Sequence, residues 1–435
     1  MINRTGAEAP EHGLGFGYLT SEPIHMSEAS LFAGQPVMSQ LLSLIPKSLV
    51  RELAEKHQAD RYYKRFFAYD HLVSMLYTSL RGCESLRELI CGMQVNQHRL
   101  LHLGLLSTPC RSTLADANAR RSEAFFGELF HRLHRLHMGG LPDSYRKNKR
   151  MLERLFIVDS TTISLFSEVM HGAGAYRNNG RKKGGAKAHV LMRASDDVPC
   201  FVHLTEARVN DRVVLDRLPL PAGSIIVLDK GFNSYAQYDR WEQHQVTYVT
   251  RLVENSALRV HHERQVSQHQ RRLGVLSDQE VELAQHSNTK VKRIKARVVG
   301  FFDAATGREF RFLTNDRSHA PATIAALYKR RWQIELLFKR IKQHRPLRYF
   351  LGDSPNAIKI QIWCALIADL LIKVTKDRAE LVAPRRWSFS NLAAIVRQHL
   401  GTYVDLMAFL KNPERALLNY RPPPPQCHQL SFAYP

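Results

Sequence analysis

The chain has 435 residues, of which 44% are hydrophobic and 9% aromatic, as in a folded protein of two or three domains. Its 62 Lys and Arg residues outnumber 40 Asp and Glu residues, which gives a formal net charge of +22. Such a charge attracts polyanions and repels cationic partners, so nucleic acid is the leading candidate partner. The six cysteines form no C-x-x-C pair and no zinc-like spacing with histidine, so reduced, mostly buried thiols are expected.

The sequence gives no sign of membrane insertion or secretion. The opening residues lack both the charged start and the apolar core of a secretory signal. The most apolar long run, residues 360–374, contains Asp369 and fits a buried helix better than a membrane span. We therefore expect a cytoplasmic protein without a membrane partner.

The first third of the chain has a helical pattern. Residues 1–30 are predicted to be disordered, and residues 31–145 carry amphipathic patterns such as FAYDHLVSMLYTSLRG and TLADANARRSEAFFGELFHRLHRL. Ser112 or Thr113 is expected to cap the last helix, with Asp116 favouring its start. Short helices with interspersed basic residues suit a DNA-binding domain, although a helical packing domain without base contacts fits the pattern equally well.

From Met151 the pattern changes to apolar runs of strand length with short polar links. Residues 210–218 and 234–244 are predicted as helices between or after these strands. The four predicted strands are LFIVDST, KAHVLMRA, PCFVHLTEA and SIIVLDKG. The alternation indicates an α/β domain over residues 150–380.

The second half of this domain is predicted to contain an insertion. Residues from about 252 to 318 are rich in strand formers and charge, and KVKRIKARVVGFF and REFRFLTND are predicted to form a hairpin. A helical pattern resumes at residue 321 and continues to 345, and another covers residues 356–374. Residues 381–435 are predicted as smaller helices and a tail too rich in proline to be helical.

Two of the predicted strands end in the same way. Four apolar residues lead to Asp159, and four others lead to Asp229. A carboxylate at the end of a buried strand is costly to desolvate unless it is paired, hydrogen-bonded or bound to a metal. Each aspartate taken alone could be a turn or capping residue, but the recurrence favours a site.

The segment YKRRWQIELLFKRIK carries a third carboxylate among basic residues. On one helix, Tyr328, Arg331, Glu335 and Lys342 lie within about 60° of one another. A separate apolar stripe, Ile334, Leu337, Phe338 and Ile341, would pack this helix against a core. A surface helix with i,i+4 ion pairs is the alternative for a helix considered in isolation.

Together, Asp159, Asp229 and Glu335 have the chemistry of a magnesium site. Three carboxylates can hold two hard cations about 4 Å apart with a phosphate between them, one activating the attacking oxygen and the other stabilising the leaving oxygen. Oxygen ligands and phosphate chemistry favour Mg²⁺, for which Mn²⁺ can substitute. Arg331 and Lys342 would clamp the transition state, and Tyr328 would bind a neighbouring phosphate.

These residues resemble the DDE transposases of bacterial insertion sequences, specifically insertion-sequence family four. Tyr328, Arg331, Glu335 and Lys342 match its Y-x-x-R-x-x-x-E-x-x-x-x-x-x-K pattern, and Gly231 and Phe232 follow Asp229 as its x-G-F pattern requires. Asp159 in IVDST matches the first aspartate. The resemblance covers about residues 35–375. It implies an RNase H-like core with a β-rich insertion between the second aspartate and the glutamate, after an all-helical N-terminal domain.

The resemblance also implies an activity and partners. The protein is expected to bind terminal inverted repeats in double-stranded DNA, cleave the ends with Mg²⁺ and join the 3′-hydroxyl ends to target DNA, as a dimer or higher assembly near the bacterial nucleoid. Some relatives hold a flipped base with a tryptophan in the insertion, where this chain has none, so the stacking candidates are Phe301, Phe302, Phe310 and Trp332.

Basic segments are the expected DNA contacts. A loop at 176–187 and a strand at 290–297 would follow phosphates. The named candidates are Arg181, Lys182, Lys183, Lys187 and Lys230. For Lys187 and His189, a phosphate contact and an ordinary sheet position are both compatible with the sequence. A nuclease without strand transfer and a catalytically silent DNA-binding relative are the competing functions.

Overall fold

The computed structural model describes residues 34–138, 149–164, 185–254, 256–286, 291–344 and 350–418. The start predicted to be disordered, most of the basic loop at 176–187 and the proline-rich tail lie outside these residues. Two groups of helices flank a mixed sheet, so the fold is α/β with a helical N-terminal region.

Within residues 34–138, the N-terminal region contains six α-helices and a 3₁₀ helix at Gln97–Leu103. The α-helices are α1 (Val37–Leu42), α2 (Lys47–Lys56), α3 (Ala68–Arg81), α4 (Leu86–Val95), α5 (Arg111–Arg120) and α6 (Glu123–Met138). The prediction of one helix from Thr113 was wrong. Helix α5 begins at Arg111 without a side-chain cap, and Arg121 leaves the helix with extended dihedral angles. The reason is a pair of long-range bonds, since the buried Arg121 guanidinium donates to the carbonyl oxygens of Ala59 and Phe66, both at 2.8 Å.

In the part of the chain that the structure describes, nine strands form one sheet in the order β3-β2-β1-β4-β5-β9-β8-β7-β6. The strands are β1 (Leu155–Ser164), β2 (Gly185–Arg193), β3 (Pro199–Glu206), β4 (Ile225–Leu228), β5 (Thr247–Arg251), β6 (Leu258–Glu263), β7 (Val275–His286), β8 (Val291–Asp303) and β9 (Arg308–Thr314). Strands β1, β2 and β3 are antiparallel neighbours, whereas β4 is parallel to β1 and β5 is parallel to β4. The predicted hairpin is β8 and β9, and β9 pairs with β5, so the predicted insertion extends the same sheet.

The remaining helices lie between and after the strands. They are α7 (Lys149–Arg154), α8 (Tyr235–Gln243), α9 (Gln268–Arg272), α10 (Pro321–Lys329), α11 (Trp332–His344), α12 (Pro355–Val382), α13 (Phe389–His399), α14 (Leu406–Lys411) and α15 (Pro413–Leu418). Two more 3₁₀ helices span Asp211–Arg217 and Lys230–Phe232. The predicted helix at 210–218 is therefore a 3₁₀ helix.

Residues of β1 alternate between two hydrophobic cores. Leu155 and Ile157 face the core formed with the N-terminal helices, α11 and α12. Phe156 and Val158 face a second core that contains residues of α8 and of the 3₁₀ helix Asp211–Arg217. Because side chains alternate along a strand, Asp159 lies on the α11 face and Ser160 on the opposite face.

Helix α12 joins the helical region to the sheet. It packs against α3, α6 and α11, and most of its residues up to Thr375 are buried. Its buried acid, Asp369, accepts a 2.8 Å bond from Arg340, which explains a charge within an apolar run. Among the described residues, no helix is long and apolar enough to cross a membrane. Of the cysteines that the structure describes, Cys83 and Cys364 are buried and Cys200 is partly buried, whereas Cys91 and Cys110 are exposed, so the expectation of mostly buried thiols is met only in part.

Candidate active site

The first two carboxylates lie side by side at one edge of the sheet. Strand β1 pairs with β4 as far as Val158 and Leu228, and the next residues are Asp159 and Asp229. Parallel neighbouring strands deliver their carboxyl ends to the same edge, so the two aspartates emerge together. The prediction that β1 ends at Asp159 was wrong, because the pairing of β1 with β2 continues to Ser164.

Glu335 reaches this edge from helix α11, which packs on β1. The helix is held by its apolar side chains Ile334, Leu337, Phe338 and Ile341, all buried as predicted. The single predicted helix from 321 to 345 is instead two helices. Between them, the amides of Arg330 and Arg331 bond to carbonyls three residues earlier, and this tighter turn separates α10 from α11.

Arg331 connects two of the carboxylates. Its Nη1 lies 3.2 Å from Asp159 Oδ2, and its Nη2 lies 2.5 Å from Glu335 Oε1. The Arg331 side chain is 18% exposed, so these ion pairs are shielded from bulk water. The pairing of Arg331 with Glu335 alone would fit an ordinary surface helix, but the bond to Asp159 spans 172 residues and two elements.

Asp229 has different partners. Arg251 Nη2 lies 2.7 Å from Asp229 Oδ1, and the Tyr328 hydroxyl donates to the same oxygen at 3.3 Å. Sequence analysis missed Arg251. The signal was available, because Arg251 ends TYVTR on the strand next to β4 and therefore reaches the same edge of the sheet.

Burial and neighbouring charge perturb both aspartates. Burial raises the pKa of Asp159 to about 6, and the carboxylates of Asp229 and Glu335 act in the same direction against Arg331 and the Ser160 amide. Burial alone would also raise the pKa of Asp229, but its bond to Arg251 holds that pKa below its usual value. The pKa values of the two aspartates are thus shifted in opposite directions, a pattern that is common at functional sites.

The other predicted residues lie at varying distances from this cluster. Lys342 is exposed, two turns beyond Glu335 on α11, and makes no ion pair with a described residue. Lys230 follows Asp229 and is half-exposed. Lys187 bonds to Asp211 and to the carbonyl of Val209. The remaining candidates, Arg181, Lys182 and Lys183, lie outside the described residues.

The four candidate aromatic residues differ in exposure. Trp332 directly follows Arg331 and is 58% exposed, and Phe302 is 39% exposed on β8. Phe301 and Phe310 are partly buried against the core, where Phe310 stacks on Phe312. Trp332 is therefore the most exposed of the four candidates and directly follows Arg331 in sequence.

The three carboxylates offer the oxygen donors that a hard divalent cation binds. In the part of the chain that the structure describes, no three acidic, His or Cys side chains are arranged to hold a metal ion. The guanidinium groups of Arg331 and Arg251 instead lie against the three carboxylates. Two cations facing three carboxylates leave one negative charge, and all the ligand atoms are oxygen, as Mg²⁺ requires. Three carboxylates and two arginines therefore lie together at one edge of the sheet.

Comparison with known proteins agrees with this chemistry. The family described as "Transposase DDE domain" matches residues 150–371, from α7 into α12, and includes all three carboxylates. Residues 33–106 match a family described as "Domain of unknown function (DUF4372)". The chain is 33% identical to y4zB of Sinorhizobium fredii, described as a transposase, over 75% of this chain and 87% of that protein.

Two further relatives are described as transposases of insertion sequences. A Geobacillus stearothermophilus protein of element IS5377 is 28% identical over 54% of this chain and 60% of its own length. A Synechocystis protein of element IS4SA is 26% identical over 60% and 71%. A solved piggyBac transposase complex with hairpin DNA aligns with 92% of this chain and 88% of that chain, at 10% identity and a TM-score of 0.43, which is too distant to establish a shared fold.

The chain belongs to the DDE transposases of insertion sequences, in a family like insertion-sequence family four.

Proposed function

We propose that this transposase binds the terminal inverted repeats of its element as a dimer or higher assembly and cleaves the DNA ends by Mg²⁺-dependent hydrolysis. It then joins the 3′-hydroxyl ends to target DNA. The observation that carries the proposal is the meeting of Asp159 and Glu335 at Arg331, beside Asp229 on the next strand. Residues from two strands and a helix converge there although they are far apart in sequence.

In this proposal Asp159, Asp229 and Glu335 hold the metal. Two bound Mg²⁺ ions would supply the Lewis acidity that activates a water or hydroxyl oxygen and stabilises the leaving oxygen. The carboxylates would then exchange their arginine partners for metal. Arg331 and Arg251 would then be free to bind phosphate oxygens with their paired N–H groups.

We also propose that the core is RNase H-like. The antiparallel meander β1, β2 and β3, followed by β4 and β5 parallel to β1, supports this assignment. The strands that follow β5 would then be the family's insertion, joined edge to edge with the core through β9. The exposed side chains of Lys230, Lys342 and Arg293 are candidate phosphate contacts around it.

The test is an end-cleavage assay on a duplex copied from the DNA that flanks the gene. We expect the full-length protein to cut at the repeat tips and to give joined products with target DNA only when Mg²⁺ or Mn²⁺ is present. Glu335→Gln should lose both products. The matched control is Glu380→Gln, because Glu380 makes a similar i,i+4 pair with Lys376 on α12 at similar exposure.

Each alternative function has its own result. Cuts without joined products would identify a nuclease and contradict strand transfer. Binding of the end duplex without cuts by wild-type protein would identify a silent relative. Unchanged cleavage by Glu335→Gln would contradict the assignment of the site.

A further inference from the structure

A second polar cluster lies on the face of β1 opposite Asp159. It consists of Ser160, Lys187, His189 and Asp211. Their side chains meet around Asp211 Oδ1, which accepts from Ser160 Oγ at 2.8 Å and from Lys187 Nζ at 3.1 Å. The Nδ1 atom of His189 lies 3.6 Å from the same oxygen.

Strand register explains why these residues meet. In the antiparallel pairing of β1 and β2, Ser160 is opposite His189 and Thr162 is opposite Lys187. Opposite residues share a face, so both side chains of β2 point to the side where Ser160 lies. Asp211 approaches from the start of a 3₁₀ helix, and the side chains of Lys187 and His189 are 14% and 0% exposed.

The cluster is connected to the candidate active site through one residue. The backbone N–H of Ser160 donates to Asp159 Oδ1 at 2.8 Å, while the Ser160 side chain donates to Asp211. Asp211 also lies close to Gly231, which is two residues after Asp229. A Cβ atom built on Gly231 would be 4.0 Å from Asp211 Oδ2. The 3₁₀ helix that Asp211 begins packs on the helix 230–232, which follows Asp229.

We infer that Asp211 is a positioning residue of the transposase site, acting through Ser160 to fix the orientation of the Asp159 carboxylate. Lys187 has a part in this arrangement that differs from a phosphate contact. Its ammonium group bonds to Asp211 and to the carbonyl of Val209 at 2.8 Å, and so balances the charge of a partly buried carboxylate. The inference rests on the proposed function, because Asp159 must bind metal for its orientation to matter.

The first test uses Ser160→Ala, which removes the hydroxyl, and Ser160→Thr, which keeps it. Metal ligands lose affinity by about 10-fold to 100-fold when their orienting partners are removed. We therefore expect Ser160→Ala and Asp211→Asn to raise the Mg²⁺ concentration for half-maximal cleavage at least about 10-fold. Ser160→Thr should restore most of the wild-type value.

A second readout does not depend on activity. Ligands that bind only the folded state raise its unfolding temperature. The rise in unfolding temperature produced by Mn²⁺ on the protein bound to its end duplex should be smaller in Ser160→Ala and Asp211→Asn than in wild type. The affinity for the end duplex in EDTA should be unchanged.

Matched controls lie close by. Ser224 is a buried serine at the opposite end of β4, bonded to the carbonyl of Pro221, and Asp216 lies on the same 3₁₀ helix as Asp211 but pairs with Arg240 on the surface. Ser224→Ala and Asp216→Asn should keep the wild-type metal requirement.

Two results would overturn the inference. One is an unchanged metal requirement in both Ser160→Ala and Asp211→Asn. The other is a loss of cleavage that follows loss of folding or DNA affinity and is not restored by Ser160→Thr. Glu335→Gln, measured in parallel, separates this failure from that of the proposed function, since it should lose cleavage whether or not Asp211 positions Asp159.

Discussion

Two arginines pair with carboxylates in different parts of the molecule, Arg297 on β8 and Arg331 just before α11. They differ in how fully the guanidinium group is paired. Arg297 on β8 is 1% exposed and holds Asp278 with two bonds of 2.7 and 2.8 Å. Its remaining nitrogen donates to the carbonyls of Asp316 and His319. One cation faces one anion, and every nitrogen of this guanidinium has a partner.

Arg331 is arranged differently. It faces two carboxylates, and its buried Nε has no partner among the described residues. Together with the neighbouring pair of Arg251 and Asp229, the cluster has two guanidinium groups and three carboxylates. A saturated buried pair such as Arg297 with Asp278 holds the fold, whereas an unsaturated cluster leaves charge available for a ligand.

The largest expected effects are a loss of cleavage at the three carboxylates and a loss of stability at the pair of Arg297 and Asp278. Glu335→Gln, Asp159→Asn or Asp229→Asn should reduce cleavage by at least about 10³-fold in protein that remains folded, because each removes a metal ligand. Asp278→Asn should instead destabilise the fold by about 3–5 kcal/mol, because it leaves Arg297 buried without its counter-charge. Cleavage assays beside denaturant unfolding would measure both, and a stable, active Asp278→Asn protein would remove the contrast.

The arginines themselves give the next effect. Arg331→Ala should lower cleavage by about 10²-fold, the usual loss for one transition-state donor. It should also destabilise the protein in EDTA, where Asp159 and Glu335 would repel each other, and Mg²⁺ should restore that stability. Arg297→Ala should be destabilised to the same degree with or without Mg²⁺, as followed by thermal unfolding. A destabilised Arg331→Ala protein that does not respond to Mg²⁺ would contradict this account.

The pH dependence of stability should show that the ionised Asp159 carboxylate destabilises the fold. Because burial raises the pKa of Asp159 to about 6, the folded state binds that proton more tightly than the unfolded chain does. This contribution to stability is present below the unfolded pKa and is lost as pH rises through about 6. At pH 7.5 in EDTA, Asp159→Asn should therefore be more stable than wild type by on the order of 2 kcal/mol.

The same measurement has an internal control. The stability gain of Asp159→Asn should shrink as pH falls to about 5, where the wild-type carboxyl is protonated. Burial alone would raise the pKa of Asp316, near Arg297, but bonds from His319 and Ser318 lower it, so Asp316→Asn should lose stability at neutral pH. Equal signs for Asp159→Asn and Asp316→Asn at pH 7.5 would contradict the comparison.

The smallest effect concerns the basic strand β8. Arg293 and Lys295 are exposed, whereas Arg297 is buried. If the exposed pair contacts phosphates, each change to alanine should weaken DNA binding by a few-fold and reduce the slope of log affinity against log salt by about 1. Titrations at several salt concentrations measure this slope. A nearly flat salt dependence in the wild-type protein would argue against phosphate contacts altogether.

Local patterns predicted the strands that precede Asp159 and Asp229 and the apolar stripe of α11. Four apolar residues before Asp159 and before Asp229 form parallel neighbours, and the apolar stripe on α11 packs as expected. These features depend on the periodicity of a few adjacent residues. The turn between α10 and α11 was not predicted, because the residues around it are all compatible with a continuous helix.

Contacts between residues that are far apart in sequence could not be predicted from local patterns. Asp211 is 51 residues from Ser160, and nothing local marks that contact. Arg251 is 22 residues from Asp229 and is marked only by its place at the end of a strand. Arg297 was grouped with the exposed basic residues of its strand because Arg293, Lys295 and Arg297 alternate regularly. Its bonds to Asp278 and to the carbonyls of Asp316 and His319 distinguish it from them.

The central claim is that Asp159, Asp229 and Glu335 together bind a divalent cation. Fe²⁺ substituted for Mg²⁺ and exposed to ascorbate and peroxide cuts the polypeptide next to its binding site. We predict fragments ending near residues 159, 229 and 335, suppressed together by excess Mg²⁺ and by either Asp159→Asn or Asp229→Asn. Fragments from other regions alone, or the same fragments in both variants, would contradict the claim.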